Sequence, residues 1–262
     1  MPGMTRPLGL SCNGDRLAVA DPERGTATVI DLARRRWSSI AVPSAGALVG
    51  VALWDDGSVV LVDAASATIY RAAAGKRRAR VLFSGEPLVR PVAVRELDEG
   101  HALVVDSGGH QLYALNTRTS ELVPLGPGRG SPGQGWNFPV DAAVDDAGAV
   151  VVCDALNESI QRLVDGALEV VVGETGGPLV RPKGVAIDEL GRIHVVDAGM
   201  QHVVVYEKDG TLVGRYGQPD EGDGSLALPA GICVHGNYVF VADSLHGRVQ
   251  VFLLVGTPAV NP

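Results

Sequence analysis

The chain has 262 residues and a formal net charge of −8 at pH 7, with 46% hydrophobic but only 5% aromatic residues. The acidic balance argues against binding of nucleic acid or an anionic membrane through overall charge, and no apolar run approaches the roughly 18 residues of a membrane-spanning helix. Cys12, Cys153 and Cys233 form no Cys-x-x-Cys pair, which predicts free thiols in a reducing compartment. We therefore expect a cytoplasmic protein, unless a signal peptide or a fused domain precedes or follows this sequence.

A pattern with a period of roughly 44 residues occurs six times along the chain. Each unit has an apolar run, a turn with Gly, a second apolar run that closes on Asp, a third run and, in most units, a weaker fourth run. The third runs are TVID, IYRA, LYAL, IQRL, VVVY and VQVF. The predicted units are residues 6–46, 47–88, 89–136, 137–179, 180–226 and 227–262.

These units predict an all-β fold, a six-bladed β-propeller of four-stranded antiparallel blades in a single domain over residues 1–262. Both leading runs of each unit are continuously apolar, as expected of strands covered on both faces. The sequence ends near the third strand of the sixth unit, so the last blade is expected to lack its outer strand or to have a very short one.

The aspartates that close the second runs are expected to serve the fold. A carboxylate at a strand end accepts N–H bonds from the following loop, and a residue required in every unit fixes loop shape. The six residues are Asp21, Asp63, Asp106, Asp154, Asp197 and Asp243.

The sequence resembles the NHL-repeat β-propellers over about residues 6 to 254. Residues 243–252, DSLHGRVQVF, are similar to the family's D-x-x-N-x-R-[IV]-Q-x-F signature, and residues 181–188, RPKGVAID, are similar to its first strand. Blade one departs from the pattern with Pro22 after Asp21. The resemblance implies the fold but not an activity, because the family includes lyases, nucleic-acid binders, kinase sensor domains and scaffolds.

Catalytic members of this type hold zinc with histidines where each blade begins, around a Pro-x-Gly position. The residues that correspond here are Leu8, Val49, Val92, Val140, Lys183 and Ala230, none of which is a zinc ligand. Lactonase-type propellers need Glu, Asn and Asp ligands that converge on the channel, and only Asp141 has such a place. We assign no residue to a metal and predict no cofactor.

The face with the inter-blade loops and second-to-third loops, called the top, is the expected ligand face. Arg6, Arg90, Arg181 and Lys183 precede or begin inner strands there, and the Gly/Pro-rich loop 124–138 has the length of a lid or recognition element. The expected ligand-binding residues are Arg90, Arg181, Lys183, Trp136, Phe138, Asp141, Asn157, His110, His202 and His246.

Three functions follow as hypotheses. The preferred one is a binding propeller whose top channel mouth takes an anionic small molecule or a peptide, with Trp136 and Phe138 as an apolar wall. The alternative is a lyase or hydrolase at the same mouth. The third is an interaction domain that docks an acidic protein partner on a basic rim patch of blades one and two, formed by Arg34, Arg35, Arg36, Lys76, Arg77 and Arg78.

Overall fold

The computed structural model describes residues 3–42, 46–173, 177–219 and 222–255. These residues form six antiparallel sheets in chain order, and within each sheet the strands lie in sequence order. The all-β six-bladed propeller predicted from the repeat is confirmed. The only helix among the described residues is one 3-10 turn, Ala155–Asn157, so none there is long and apolar enough to cross a bilayer.

The first three blades contain twelve strands. Blade one has β1 (Leu10–Asn13), β2 (Arg16–Asp21), β3 (Thr26–Asp31) and β4 (Arg36–Ala41). Blade two has β5 (Leu48–Leu53), β6 (Val59–Asp63), β7 (Thr68–Ala72) and β8 (Arg80–Ser84). Blade three has β9 (Pro91–Asp98), β10 (His101–Asp106), β11 (Gln111–Asn116) and β12 (Leu122–Leu125).

The last three blades contain eleven strands among the described residues. Blade four has β13 (Pro139–Val144), β14 (Val150–Asp154), β15 (Ser159–Val164) and β16 (Ala167–Val172). Blade five has β17 (Pro182–Ile187), β18 (Ile193–Asp197), β19 (His202–Tyr206) and β20 (Leu212–Tyr216). Blade six has β21 (Pro229–His235), β22 (Tyr238–Asp243) and β23 (Arg248–Leu253), without a fourth strand in this part of the chain, as expected.

The turns between first and second strands form where the sequence places Gly. All six have positive φ, which Gly adopts without steric cost, and they are Gly14, Gly57, Gly100, Gly148, Gly191 and Gly236. The second strands are almost entirely buried because each blade is packed between two others. Aliphatic clusters between neighbouring blades make up the core.

The six closing aspartates are buried and hold the loops together, as predicted. Besides N–H groups of the following loop, as at Asp63 and Asp197, their carboxylates accept N–H bonds from the segment upstream. The carboxylate of Asp106 accepts N–H bonds from Val89 and Arg90, and that of Asp197 accepts them from Val180 and Arg181. Each aspartate therefore anchors the segment that leads into the inner strand of its own blade.

The inner strands approach one another so closely that most blades need Gly at the third residue of the first strand or, in blade one, just before that strand. A Cβ on Gly184 would lie 2.5 Å from the carbonyl oxygen of Ala230, and one on Gly231 would lie 2.4 Å from that of Leu8. Blade four has Asp141 at this place, opposite Cys153 of β14, so its side chain enters the space between blades four and five. This exception shapes the central channel.

Candidate functional site

The top of the channel opens into a cavity of about 390 Å³, called here the upper cavity. Its lining includes one equivalent residue from each of the six inner-strand segments, and five of these six are apolar: Leu8, Val49, Val92, Val140, Lys183 and Ala230. These are the positions that the sequence placed at the mouth. This ring is therefore an apolar surface with a single charge at Lys183.

Three arginines surround Lys183. Arg90 and Arg181 line the same cavity, and their backbone N–H groups are fixed by Asp106 and Asp197 at 2.7 Å and 3.0 Å. Burial lowers the pKa of Lys183, and repulsion from Arg181, Arg90 and Arg6 lowers it further. This effect requires each of the three arginines to lie within electrostatic range of Lys183. The mouth is therefore a strongly positive site on an acidic protein.

An ion pair forms the floor of the upper cavity, and this pairing was not predicted from the sequence. Arg95 Nη2 donates to Asp141 Oδ1 at 2.5 Å, with side-chain exposures of 17% and 5%. Asp141 also accepts N–H bonds from Ala142 and Val185. Burial raises the pKa of Asp141, and the Arg95 charge with these N–H groups opposes the rise without cancelling it. The carboxylate of Asp141 is thus bound by groups of the protein itself.

Arg95 also divides the channel. It lines the upper cavity and, below it, a second cavity of about 240 Å³, called the lower cavity, and no other residue lines both. The inner-strand residues at the level of Arg95 in the other blades are small: Ser11, Ala52, Ala143, Ala186 and Cys233. The sequence signal for this role is a charged residue, Arg95, within the apolar run of β9.

Five of the ten predicted ligand-binding residues line the upper cavity, namely Arg90, Arg181, Lys183, Phe138 and Asp141. The prediction that Trp136 forms an apolar wall is wrong. Trp136 is 0% exposed and packs between blades three and four, with its indole against Gly126. Phe138 alone supplies an aromatic surface to the mouth.

Hydrogen bonds within the loop 124–138 and from blade four hold this loop in place, unlike a lid. Within the loop the Gly130 N–H donates to the Trp136 carbonyl, and the Trp136 N–H donates to the Gly128 carbonyl. The Asn157 and Gln161 side chains donate to the Gly135 carbonyl and to the carboxylate of Asp154. Asn157 is therefore a buried anchor of this loop and does not line the mouth.

The three loop histidines do not converge on a common site. His110 Nδ1 accepts the N–H of Phe138 at 3.1 Å and its ring meets the Phe138 ring edge-on, so it positions Phe138. His202 is buried, which lowers its pKa. His246 pairs with Asp243 at 2.8 Å. None of the three lines the upper cavity.

The two basic runs lie at opposite ends of β4, not in one patch. Arg36 begins this strand, whereas Ala41 at its end exchanges backbone hydrogen bonds with Arg77 and Ala79. The runs are thus separated by roughly 17 Å of extended chain. Around the second run there is a groove of about 890 Å³, called the rim groove, lined by Arg71, Lys76, Arg77, Arg78, Arg80, Ala73, Val81 and Leu82.

Comparison with known proteins agrees with this architecture. No protein-family model matches the chain. Over 185 residues it is 27% identical to NHL repeat-containing protein 3 of Mus musculus; the match covers 66% of this chain and 51% of that protein. The chain therefore spans about half the length of this relative.

Solved structures share the fold. The virginiamycin B lyase of Staphylococcus aureus matches with a TM-score of 0.68 and 14% identity, over 98% of this chain and 88% of the lyase. An auxiliary nutrient binding protein of Bacteroides thetaiotaomicron matches with a TM-score of 0.75 and 12% identity, over 96% and 70%. At these identities the likeness is one of fold. The repeat, the fold and the curated relative together define an NHL-like six-bladed β-propeller.

Proposed function

We propose that this propeller binds an anionic small molecule, or a peptide that presents a carboxylate, at the upper cavity. The observation that carries the proposal is Lys183. Its half-buried side chain lines the cavity together with Arg90 and Arg181 and has no ion-pair partner among the residues that the structure describes. An anion would relieve the repulsion among these cations, while Val92, Val140 and Phe138 contact its apolar part.

Two charge-assisted bonds are enough to orient such a ligand. Each contributes about 1.5–3 kcal/mol, so loss of one is expected to weaken binding tenfold or more. Because Arg95 already neutralises Asp141, the ligand's charge would meet cations and not the carboxylate.

The test uses a panel of probes: succinate, citrate, inorganic phosphate and a peptide with a free C-terminus, each titrated by calorimetry. Lys183→Ala or Arg181→Ala should weaken the probes that bind at least tenfold. The matched control is Arg118→Ala, which removes the same charge from an exposed position on blade three. Unchanged affinity in the Lys183 and Arg181 variants, or no binding by the whole panel, contradicts the proposal.

The alternative is a lyase or hydrolase at the same mouth, an activity class present among the structural neighbours. Asp141 is the only carboxylate that lines the upper cavity, and it is held by Arg95. Among the described residues, no three His, Cys, Asp or Glu side chains come together as metal donors. The discriminating measurement is metal content after purification without an affinity metal. Stoichiometric zinc or calcium, lost with thermal stability on chelation, favours the enzyme.

The rim groove supports a second candidate function, binding of an acidic protein partner. Lys76, Arg77, Arg78 and Arg80 have no ion-pair partner among the described residues, and Val81 beside them is 59% exposed. This combination suits an acidic protein segment with an apolar residue, and no aromatic residue lines the groove to stack nucleic-acid bases.

Binding of a fluorescent oligoglutamate at low salt tests this second function. Lys76→Glu with Arg77→Glu is expected to lower affinity at least tenfold. Arg35→Glu with Arg36→Glu, at the other end of β4, makes the same charge change and should have a smaller effect. Equal losses in both variants would show that only net charge matters, and tighter binding of a single-stranded oligonucleotide would favour nucleic acid instead.

A further inference from the structure

The joint between blades six and one is where the ring closes. No described strand crosses from one of these blades to the other, and blade six has three strands in the described part of the chain. The inner strands β21 and β1 nevertheless touch, because the Gly231 N–H donates to the Leu8 carbonyl at 2.8 Å. A Cβ on Gly231 would also lie 2.9 Å from the Leu10 nitrogen. The two strands are thus in backbone contact at the top of the joint.

Side-chain alternation along these strands makes two cysteines face each other across the joint. Ser11 Oγ accepts the N–H of Leu53 at 2.9 Å, so Ser11 faces blade two and its neighbour Cys12 faces blade six. Gly231 faces blade one, and Cys233 lies two residues further along on the same side of the strand.

The surroundings of the two thiols agree with this alternation. The Cys12 thiol lies close enough to Cys233 to raise the pKa of the Cys233 thiol. Both cysteines belong to one apolar cluster, and both line the lower cavity. The third cysteine, Cys153, is buried in blade four, in the cluster between blades four and five.

The two thiols differ in accessibility. Cys12 is partly exposed, whereas Cys233 is buried and its burial raises its pKa well above the usual range of a thiol. Cys12 is therefore the sulfur that a small oxidant in the lower cavity meets first, and Cys233, which packs in the same cluster and lines the same cavity, is the resolving partner.

We propose that Cys12 and Cys233 form an oxidation site, in which a peroxide converts the two thiols into a disulfide that joins blade one to blade six. The Cys12 thiolate attacks one peroxide oxygen, which gives a sulfenic acid and releases the other oxygen as water. The Cys233 sulfur then attacks the sulfenic sulfur, its proton leaves with the hydroxyl group as a second water, and the S–S bond forms. Two thiols and one hydrogen peroxide thus give one disulfide and two waters.

The consequence is a covalent ring closure. The disulfide connects residues near the two ends of the chain, and a cross-link over so long a loop restricts the unfolded chain strongly. For a protein of this size, we expect the melting temperature to rise by roughly 5–10 °C on oxidation and to return with dithiothreitol.

The experiment treats the native full chain with stoichiometric hydrogen peroxide, removes the peroxide, blocks remaining thiols with iodoacetamide in denaturant and maps the peptides under non-reducing conditions. We expect a linked pair of peptides with Cys12 and Cys233, while Cys153 stays alkylatable. Cys153→Ser is the matched control and should keep the cross-link and the rise in melting temperature. Cys12→Ser should lose both.

Several results would overturn the proposal: recovery of Cys12 and Cys233 as free thiols, their oxidation to sulfinic acids without a cross-link, or a disulfide between two chains. The peptide map of the unmutated protein decides the matter even if a serine variant fails to fold. A cross-link without a rise in melting temperature would refute the ring-closure consequence.

Discussion

The Arg95–Asp141 pair makes the sharpest test of how this channel is built. Both side chains are mostly buried, so replacing one leaves an uncompensated charge between blades. Such a loss costs about 3–5 kcal/mol, whereas replacement of both by groups that pack well is often neutral. The other blades supply the replacements: blades two and five have Gly50 with Ala52 and Gly184 with Ala186 at these two levels.

We therefore expect Asp141→Gly alone and Arg95→Ala alone each to destabilise the protein by about 3–5 kcal/mol. The double variant should lie within about 1–2 kcal/mol of the unmutated protein, because it gives blades three and four the residues found at these levels in the other blades. A loss of about 4 kcal/mol lowers the urea midpoint by roughly 1–2 M at a usual slope.

Equilibrium urea denaturation at pH 7 measures the three variants. Lys208→Ala is the control, because the Lys208–Asp145 pair has a 59% exposed Lys side chain and such pairs contribute at most about 1 kcal/mol. If the double variant loses the sum of the two single losses, the residues act independently and the interpretation as a coupled ion pair is wrong. A negligible loss for Asp141→Gly would show that water or another group compensates Arg95.

Two further predictions concern pH and packing. Burial raises the pKa of Asp154 to about 6, whereas at Asp63 the same effect is outweighed by four backbone N–H bonds that lower its pKa. As pH falls from 7 to 4, protonation of Asp154 in the folded state raises the free energy of unfolding. Over the same range the stabilising contribution of ionised Asp63 begins to be lost. The destabilisation by Asp154→Asn should therefore grow over this range and that by Asp63→Asn should shrink, as thermal melts at each pH would reveal; parallel curves would contradict the assignment. Gly184→Ala should cost about 1–3 kcal/mol in urea denaturation, because the new Cβ would lie 2.5 Å from the Ala230 carbonyl oxygen. Ala93→Gly, at the same level of blade three, should cost at most about 1 kcal/mol, and equal losses at the two sites would refute the steric argument.

The sequence by itself determined the repeat, and through it the fold. Apolar runs, turns with Gly at positive φ and the closing aspartates are local signals, because strand burial and loop anchoring recur in every blade. The same periodicity located the ring of residues at the mouth, since equivalent positions in a closed array meet at the channel. Lys183, Arg90 and Arg181 were predictable for this reason.

Only the tertiary structure decided which side chains meet across blades. Trp136 was predicted to bind the ligand because it lies in a Gly-rich loop, yet its side chain is buried in the core between blades three and four. Arg95 and Asp141 are 46 residues apart and pair through the channel. Cys12 and Cys233 face each other only because the ring closes. Contacts of this kind depend on the rotation between neighbouring blades and on ring closure, which no local pattern of residues specifies.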